Sequence, residues 1–300
     1  MTALLSPSPS QSSTLGRVTR PVLRWHGGKW LLAPWIISFF GEHRCYVEPY
    51  GGAWSVGLLK PRSHREIYND KDDRLVALFA MLRDPKASDR LIRSLELTPF
   101  ARSEFYRAYE PSSDPVEDAR RWLTRSWLGH GSDGGLSPYR TGFRASSSKS
   151  DTTSVAREWA GYPAALAAVV ERLRGVVIEN RDALELMAAH DAPSTLNFVD
   201  PPYLITTRSR TNRQPGGGTY RHELTDADHV ELLAFLKTLK GMVVLSGYPS
   251  ELYDGALASD PNGAWRRVER KALADGARER REVLWLNPAA ADACPQRGLL

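Results

Sequence analysis

The chain alternates short apolar runs with segments of helical periodicity, and this alternation predicts an α/β fold. Turn residues or charges close each apolar run, as expected for short buried strands. These predicted strands cover residues 45–48, 66–70, 176–178, 196–199 and 242–246. Helical spacing follows at 75–83, 163–173 and 225–239, and a closing antiparallel pair is predicted at 266–273 and 282–286.

The alternation stops between residues 84 and 162, where helical patterns lead into a Gly/Ser-rich stretch at 129–150. We interpret this region as a mostly helical subdomain inserted into the α/β domain. The first residues form a Ser/Pro-rich polar tail that has nothing to bury and is expected to be disordered. The predicted divisions are a tail at 1–20, an α/β domain at 21–84 and 163–300, and the insertion at 85–162.

The candidate chemistry centres on the residues that follow the strand at 196–199, namely Asp200, Pro201, Pro202 and Tyr203. Open α/β sheets bind ligands at the carboxyl ends of strands, although Pro-Pro also marks ordinary turns. The exocyclic amine of adenine is a poor nucleophile, because its lone pair is delocalised into the ring. The Asp200 carboxylate and the Pro201 carbonyl could accept its N–H groups and push the nitrogen towards a tetrahedral geometry. Tyr203 could stack on a base that has left its helix.

Two glycine turns earlier in the chain predict a nucleoside-type cofactor site. Gly28 precedes Lys29 at the entrance to a helical stretch, where a ligand can approach the backbone and an anion is favoured. Residues 45–56 have the pattern of a strand, a glycine turn and a helix, which is the first unit of a nucleoside-binding fold. The absence of G-x-G-x-x-G argues against a dinucleotide. Asp70 could hold ribose hydroxyls or cap the helix at 75–83, and Asp182 could bind the amine of an adenosyl group.

Arginines give the chain a net charge of +5 and a pI of about 9.2, which fits an anionic partner. They concentrate on the helix at 115–127, in the Gly/Ser-rich stretch, and in the long loop at 204–221. A solvated face is the ordinary explanation of such charges, but long loops in compact domains are usually functional. We therefore predict contact with double-stranded DNA, with affinity falling steeply as salt rises. The predicted DNA-binding residues are Arg121, Arg125, Arg140, Arg144, Arg208 and Arg210.

The amino-acid composition narrows the classes of protein to which the chain can belong. Hydrophobic content of 42% and charged content of 25% are values for a globular protein. Cys45 and Cys294 are the only cysteines and lie far apart, so neither a disulfide framework nor a metal site is expected. The longest apolar run, at 31–40, is half of what a membrane span needs, and no signal peptide is evident. We expect a soluble cytoplasmic protein with no membrane contact.

Several motifs in order resemble the Dam-type family of DNA adenine-N6 methyltransferases, particularly its phage and prophage members. The motifs that carry the resemblance are Trp25-His26-Gly27-Gly28-Lys29, Val47-Glu48-Pro49-Tyr50-Gly51-Gly52, Tyr68-Asn69-Asp70, Asp182 and Asp200-Pro201-Pro202-Tyr203. It implies a Rossmann-like S-adenosylmethionine fold with a mixed seven-stranded sheet and an inserted target-recognition domain. The catalytic residues that it implies are Asp200, Pro201, Pro202 and Tyr203. The implied cofactor-binding residues are Trp25, Gly28, Lys29, Glu48, Tyr50, Gly51, Asp70 and Asp182.

Two features depart from the family pattern: Trp54 is bulky where relatives often have a small residue, and the recognition region has no readable specificity motif. The expected reaction is methyl transfer from S-adenosylmethionine to N6 of a flipped adenine in a bacterial or phage-infected cell. Cytosine-N4 methylation, RNA or protein-amide methylation, and an inactive DNA-binding remnant stay open as alternatives. Cytosine-C5 methylation is disfavoured, because neither cysteine has the surroundings of an activated nucleophile. A monomer is expected, and association with a restriction nuclease stays open.

Overall fold

A computed structural model describes residues 17–131, 140–145, 154–208, 220–274 and 278–296. Its centre is a seven-stranded sheet of order β3-β2-β1-β4-β5-β7-β6. The strands are β1 Cys45–Glu48, β2 Arg65–Asn69, β3 Val176–Glu179, β4 Thr195–Val199, β5 Met242–Gly247, β6 Arg266–Ala274 and β7 Arg278–Leu286. The first five are parallel, whereas β7 runs antiparallel to both β5 and β6. The predicted α/β fold with a mixed seven-stranded sheet is confirmed.

The helices lie between and after these strands. The first four are α1 Ala33–Ile37, α2 Ser55–Leu59, α3 Asp73–Arg83 and α4 Pro85–Glu96. They are followed by α5 Arg102–Arg107, α6 Pro115–Leu128, α7 Val155–Ala160 and α8 Tyr162–Arg172. The last four are α9 Ala183–Ala189, α10 Asp226–Leu236, α11 Glu251–Ala258 and α12 Pro288–Ala293. Helices α3 to α8 all fall between β2 and β3 in the chain.

Strand direction decides which loops meet. Parallel strands bring their carboxyl ends to one edge of a sheet, so the loops after β1, β2, β3, β4 and β5 share that edge. Because β7 is antiparallel, its amino-terminal half reaches the same edge: Val283 pairs with Gly247, the last residue of β5. Glu282, one residue earlier in β7, therefore arrives beside the loop that follows β4.

Local capping explains where several helices begin. Thr225 and Asp228 form a capping box at the start of α10, each side chain accepting from the other residue's backbone N–H. The Asp84 side chain accepts from the Ala87 N–H, and Pro85 occupies the first helical position. Helix α4 begins directly after Asp84, where the first α/β segment was predicted to end, because an aspartate cap followed by proline starts a helix.

The main hydrophobic core continues across the predicted domain divisions. One cluster of buried side chains contains Phe79 of α3, Leu91 of α4, Trp122 of α6 and Leu166 of α8. The helices between β2 and β3 thus pack with the α/β part around shared apolar residues, and the predicted insertion at 85–162 stays a prediction. The target-recognition role of this insertion stays a prediction.

The helical stretch that was predicted to begin at Lys29 begins later in the structure. Only Ala33–Ile37 forms an α-helix, with Pro34 in its first turn. Lys29, which was expected at a helix entrance, instead lies in the turns that precede α1.

Candidate active site

A buried ion pair lies at the carboxyl edge of the sheet. The Lys29 Nζ is 3.0 Å from Asp200 Oδ2 and donates to the Gly27 carbonyl at 2.8 Å. The Lys29 side chain is 6% exposed and that of Asp200 is 18% exposed. Burial alone would lower the pKa of Lys29, but the charges of Asp200 and Glu282 outweigh burial and raise it. Lys29 is therefore a cation at neutral pH, held between two carboxylates.

The two oxygens of Asp200 have different surroundings. Oδ2 bonds Lys29, whereas Oδ1 is buried and has no hydrogen-bond partner within the part of the chain that the structure describes. Buried polar atoms are normally satisfied, and one that is not calls for an explanation. Pro201 beside it is buried, and Pro202 is half-buried. A carboxylate oxygen thus remains available as an acceptor on Asp200, the residue that directly follows β4.

The Tyr203 ring is held on several sides. Its hydroxyl donates to Glu282 Oε2 at 2.9 Å and lies 2.8 Å from Ser246 Oγ. The Lys29 ammonium is 4.8 Å from the ring centroid, and the Tyr248 ring packs against it at 4.7 Å in a T-shaped arrangement. Burial raises the pKa of Tyr203, so the hydroxyl keeps its proton. The fixed ring completes a compact cluster with the Lys29–Asp200 pair.

The glycine turn after β1 is joined to the end of β2. Gly51 N–H donates to the Asn69 carbonyl at 2.7 Å, and Gly52 N–H donates to Asp70 Oδ2 at 2.8 Å. A Cβ on Gly51 would lie 2.3 Å from Tyr68 Cε2 and 2.9 Å from the Asn69 oxygen, so only glycine fits there. Gly52 has a φ of +50°. The sequence-predicted turn therefore brings its backbone close to Asp70.

Trp25 and Gly28 flank this turn from the amino-terminal segment. A Cβ on Gly52 would lie 3.0 Å from the Trp25 indole nitrogen, which places the indole directly against the turn. Gly28 is exposed, and its N–H closes a tight turn on the Trp25 carbonyl at 3.0 Å. The two predicted glycine motifs, far apart in sequence, are neighbours in space.

Asp70 is not the cap of the helix that follows. Its Oδ1 accepts from Asp72 N–H at 2.8 Å, and it is the Asp72 side chain that caps α3 by accepting from Arg74 N–H. Burial raises the pKa of Asp70 to about 6, against the opposing effect of the two backbone N–H groups that it accepts. The sequence allowed Asp70 either to hold ribose hydroxyls or to cap the following helix. The role as helix cap is excluded, because the N-cap is Asp72, two residues later.

Asp182 is exposed and caps α9, with Oδ1 accepting from Leu184 and Glu185 N–H. Tyr50 lies close enough for the Asp182 charge to contribute, after burial, to a raised Tyr50 pKa. Tyr50 and Asp182 are thus brought together at the ends of β1 and β3. Asp182 Oδ1 accepts the two N–H groups at the start of α9, so Oδ2 is the oxygen of Asp182 that can accept from a ligand.

Glu48, the last residue of β1, is 3% exposed and accepts a hydrogen bond from the Tyr46 hydroxyl. Burial raises its pKa to about 8, and the nearby Asp200 charge adds to the increase. At neutral pH this carboxyl is mostly protonated. A neutral Glu48 limits the negative charge beneath the Asp200 site.

The comparisons with known proteins decide the class. A family model described as D12 class N6 adenine-specific DNA methyltransferase matches residues 25–259, well over half of the chain. The chain belongs to this family. No curated protein matches it. The predicted family and enzyme type, an S-adenosylmethionine-dependent DNA adenine-N6 methyltransferase, are confirmed, and the match supports methylation of adenine in DNA.

In this methyltransferase, Trp54 is accommodated by a glycine one helical turn later. Trp54 has a left-handed backbone with φ of 53° and is fully buried. A Cβ on Gly57 would lie 2.2 Å from the Trp54 ring, so a side chain there would collide with it. The Arg172 guanidinium lies 5.1 Å from the ring centroid. The bulky Trp54 is therefore packed into the core behind the Gly51–Gly52 turn.

The described ends of the loop after Tyr203 return to the amino-terminal glycine turn. Tyr220 donates to the His26 carbonyl at 3.1 Å, and its ring centroid is 6.4 Å from that of Trp25. Gly27 has a φ of +69°, and a Cβ there would lie 2.5 Å from the Tyr220 hydroxyl. Tyr220 was not predicted as a site residue, because the position of an aromatic residue at the end of a glycine-rich loop does not indicate which distant residues it will contact. Residues 209–219, including the predicted Arg210, lie outside the described residues.

Four of the arginines predicted to bind DNA have partners inside the protein. Arg125 is half-buried, with its guanidinium 5.2 Å from the centroid of the Tyr109 ring. The other three form ion pairs with nearby glutamates. These pairs are Arg121–Glu117 at 2.7 Å, Arg144–Glu158 at 3.1 Å and Arg208–Glu223 at 2.8 Å. All four guanidinium groups therefore have contacts within the protein, and their DNA-binding role stays a prediction.

Arg140 and Arg102 differ from these four. Arg140 is exposed, with its guanidinium 4.4 Å from the centroid of the Tyr106 ring. Arg102 of α5 is also exposed, 4.8 Å from the centroid of Phe143. Neither has a carboxylate partner among the residues that the structure describes. Arg140 was among the predicted DNA-binding residues and Arg102 was not. The spacing of arginines along the sequence does not show which of them form ion pairs in the folded protein.

Two general features bear on ligand and location. In the described ranges, no group of three or more His, Cys, Asp and Glu side chains is placed to hold a metal ion. Every helix in the same ranges is too short or too polar to span a membrane.

Proposed function

We propose that this chain methylates N6 of an adenine extruded from duplex DNA, with Asp200 as the residue that receives the amine. The observation that carries the proposal is the difference between the two Asp200 oxygens. Oδ2 is held by Lys29, and Oδ1 is a buried acceptor without a partner among the described residues. An amine N–H donor matches what Oδ1 lacks, since an ionised carboxylate can only accept.

The residues around the glycine turn fit S-adenosylmethionine. The Gly51–Gly52 backbone is packed too tightly for side chains, Asp70 and Asp182 retain acceptor capacity, and Lys29 has three N–H donors with only two used. In the proposed assignment Trp25, Gly28 and Lys29 bind the methionine end, and Glu48, Tyr50 and Gly51 line the pocket. Asp70 binds the ribose and Asp182 the adenine. S-adenosylmethionine supplies a methyl group already activated on a sulfonium.

The protein's own part in the reaction is alignment and hydrogen bonding. Asp200 Oδ1 and the Pro201 carbonyl accept the two N–H bonds of N6, which directs its lone pair at the methyl group. The proline fixes φ and brings no competing N–H. Alignment of this kind is worth roughly 7–11 kcal/mol in favourable systems. The methylated ammonium is strongly acidic, so Asp200 Oδ1 is also placed to receive its proton.

Base extrusion is required because N6 is paired inside the duplex, at a cost of a few kcal/mol. Pro202 and Tyr203 hold the extruded base in the proposed site. The exposed Arg140 and Arg102, each with its guanidinium against an aromatic ring, contact phosphates in this proposal. We further propose a monomer acting in the cytoplasm, where the DNA of a bacterial or phage-infected cell lies; a partner restriction nuclease stays open.

The test is single-molecule sequencing of DNA from cells that express the wild-type chain, Asp200→Ala, or Asp89→Ala. Asp89 is exposed on α4 and serves as the matched control. We expect N6-methyladenine in a repeated short motif, kept by Asp89→Ala. We expect Asp200→Ala to lose at least about 100-fold in rate, because removing one preorganised partner costs about 3–4 kcal/mol. Wild-type turnover in Asp200→Ala would refute the mechanism, and N4-methylcytosine as the product would refute the substrate.

A further inference from the structure

A second carboxylate, that of Glu282, lies in the site and has no role in the reaction as derived above. Glu282 comes from β7, far along the chain from Asp200, and is 8% exposed. Its Oε2 accepts the Tyr203 hydroxyl at 2.9 Å. Burying a carboxylate is costly unless it is paired or hydrogen-bonded, and here it shares the Lys29 charge with Asp200.

The hydrogen bonds at the Tyr203 hydroxyl have a defined direction. Burial raises the pKa of Glu282 and the Lys29 charge opposes that shift, and Tyr203 donates its single proton to Glu282 Oε2. Ser246 Oγ, 2.8 Å from the same oxygen, must then donate to Tyr203. The chain of bonds runs from Ser246 through Tyr203 to Glu282, and it fixes the ring at its hydroxyl end.

We infer that Glu282 is a positioning residue, which sets the orientation of Tyr203 and through it the place of the target adenine. The inference rests on the proposed function and adds a residue that the cofactor and amine assignments do not contain. The ring is also contacted by Lys29 and Tyr248, but those contacts are to its π-system and tolerate rotation. The hydrogen bond to Glu282 is directional and comes from a rigid strand of the sheet.

The experiment compares four proteins with wild type: Glu282→Gln, Glu282→Ala, Tyr203→Phe, and the double variant Tyr203→Phe/Glu282→Ala. Glutamine keeps the size of the side chain and a carbonyl oxygen that can accept the tyrosine hydroxyl. Steady-state methyl transfer from S-adenosylmethionine to duplex DNA gives kcat and both KM values. Emission from 2-aminopurine at the target position reports on the stacking of the extruded base.

We expect Glu282→Ala and Tyr203→Phe each to lower kcat by about 10-fold or more, which is the effect of losing a hydrogen bond to a charged group. The KM for S-adenosylmethionine should stay unchanged, and 2-aminopurine emission should rise as stacking loosens. The double variant should be no slower than Tyr203→Phe, because that change already removes the hydrogen bond to Glu282 together with the one to Ser246. Glu282→Gln should recover most of kcat.

Three results would overturn the inference: an unchanged kcat in Tyr203→Phe, losses that multiply in the double variant, or a glutamine variant as slow as the alanine one. A merely structural role would lower thermal stability and both kinetic constants together, without recovery by glutamine. The wild-type reaction is the separate check on the proposed function. If wild type left N6 of adenine unmethylated, that function would fail and the inference with it, whereas an active wild type with unaffected variants would refute the inference alone.

Discussion

The buried Lys29–Asp200 pair yields a quantitative prediction about stability. Replacing Lys29 with methionine keeps much of the side chain's volume but removes the cation that faces Asp200 and Glu282. Breaking a buried pair by removing one partner typically costs about 3–5 kcal/mol. Lys29 is 6% exposed and balances two carboxylates, so we expect Lys29→Met to fall within this range at neutral pH.

The partner substitution should cost less. Asp200→Asn leaves Lys29 with the charge of Glu282, so the ammonium is not stranded. The double variant should then be less destabilised than the sum of the single variants, with a coupling free energy of about 1 kcal/mol or more. An exposed pair provides the control: Arg93 and Glu96 are 68% and 46% exposed, and Arg93→Met should cost less than about 1 kcal/mol.

The assay is urea unfolding followed by tryptophan fluorescence, from which the free energy of unfolding is extrapolated to water. Burial already raises the folded-state pKa of Glu282, and without Lys29 the cation that opposes this shift is lost, so this pKa should rise further. A raised folded-state pKa contributes stability that is present at low pH and lost as pH rises, so the penalty of Lys29→Met should shrink below about pH 4. A Lys29→Met loss no larger than that of Arg93→Met, or single losses that simply add, would refute the reasoning.

Three further predictions concern the turn, the buried carboxyl and DNA. Gly51→Ala should destabilise the protein by about 1–3 kcal/mol and weaken S-adenosylmethionine binding in calorimetry, because the new Cβ would collide with Tyr68. Gly255→Ala is the control: its Cβ would have no other atom within 4 Å, so this change should stabilise α11. Glu48 has a folded-state pKa of about 8, so its contribution is full below 4.5 and lost as pH rises through 8. Glu48→Gln should therefore unfold at higher urea than wild type at pH 9 but not at pH 4; the opposite order would contradict the assignment. Wild-type affinity for DNA should fall steeply with salt in titrations, and the slope should become shallower by about 1 in Arg140→Ala and by less in Arg121→Ala, because Arg121 is ion-paired with Glu117.

The sequence by itself determined the class of this protein and the order of its motifs. Short apolar runs and helical periods are local properties, so the strands that end before Asp70 and Asp200 were predictable within a residue or two. The glycine turn at 51–52 was equally readable, since a turn that approaches a ligand requires glycine. The Asp-Pro-Pro-Tyr motif pointed to amine chemistry because its residue types suit that chemistry wherever they are placed.

Only the tertiary structure decided which distant residues share the site. Glu282 reaches Tyr203 because β7 runs antiparallel beside β5, and strand direction and order are not encoded in the local pattern. The pairing of charges was also decided only by the tertiary structure. Arg121 and Arg140 look alike in sequence, but Arg121 is ion-paired with a glutamate and Arg140 is exposed. Pairing of charges depends on distances of a few ångströms, and folding sets those distances.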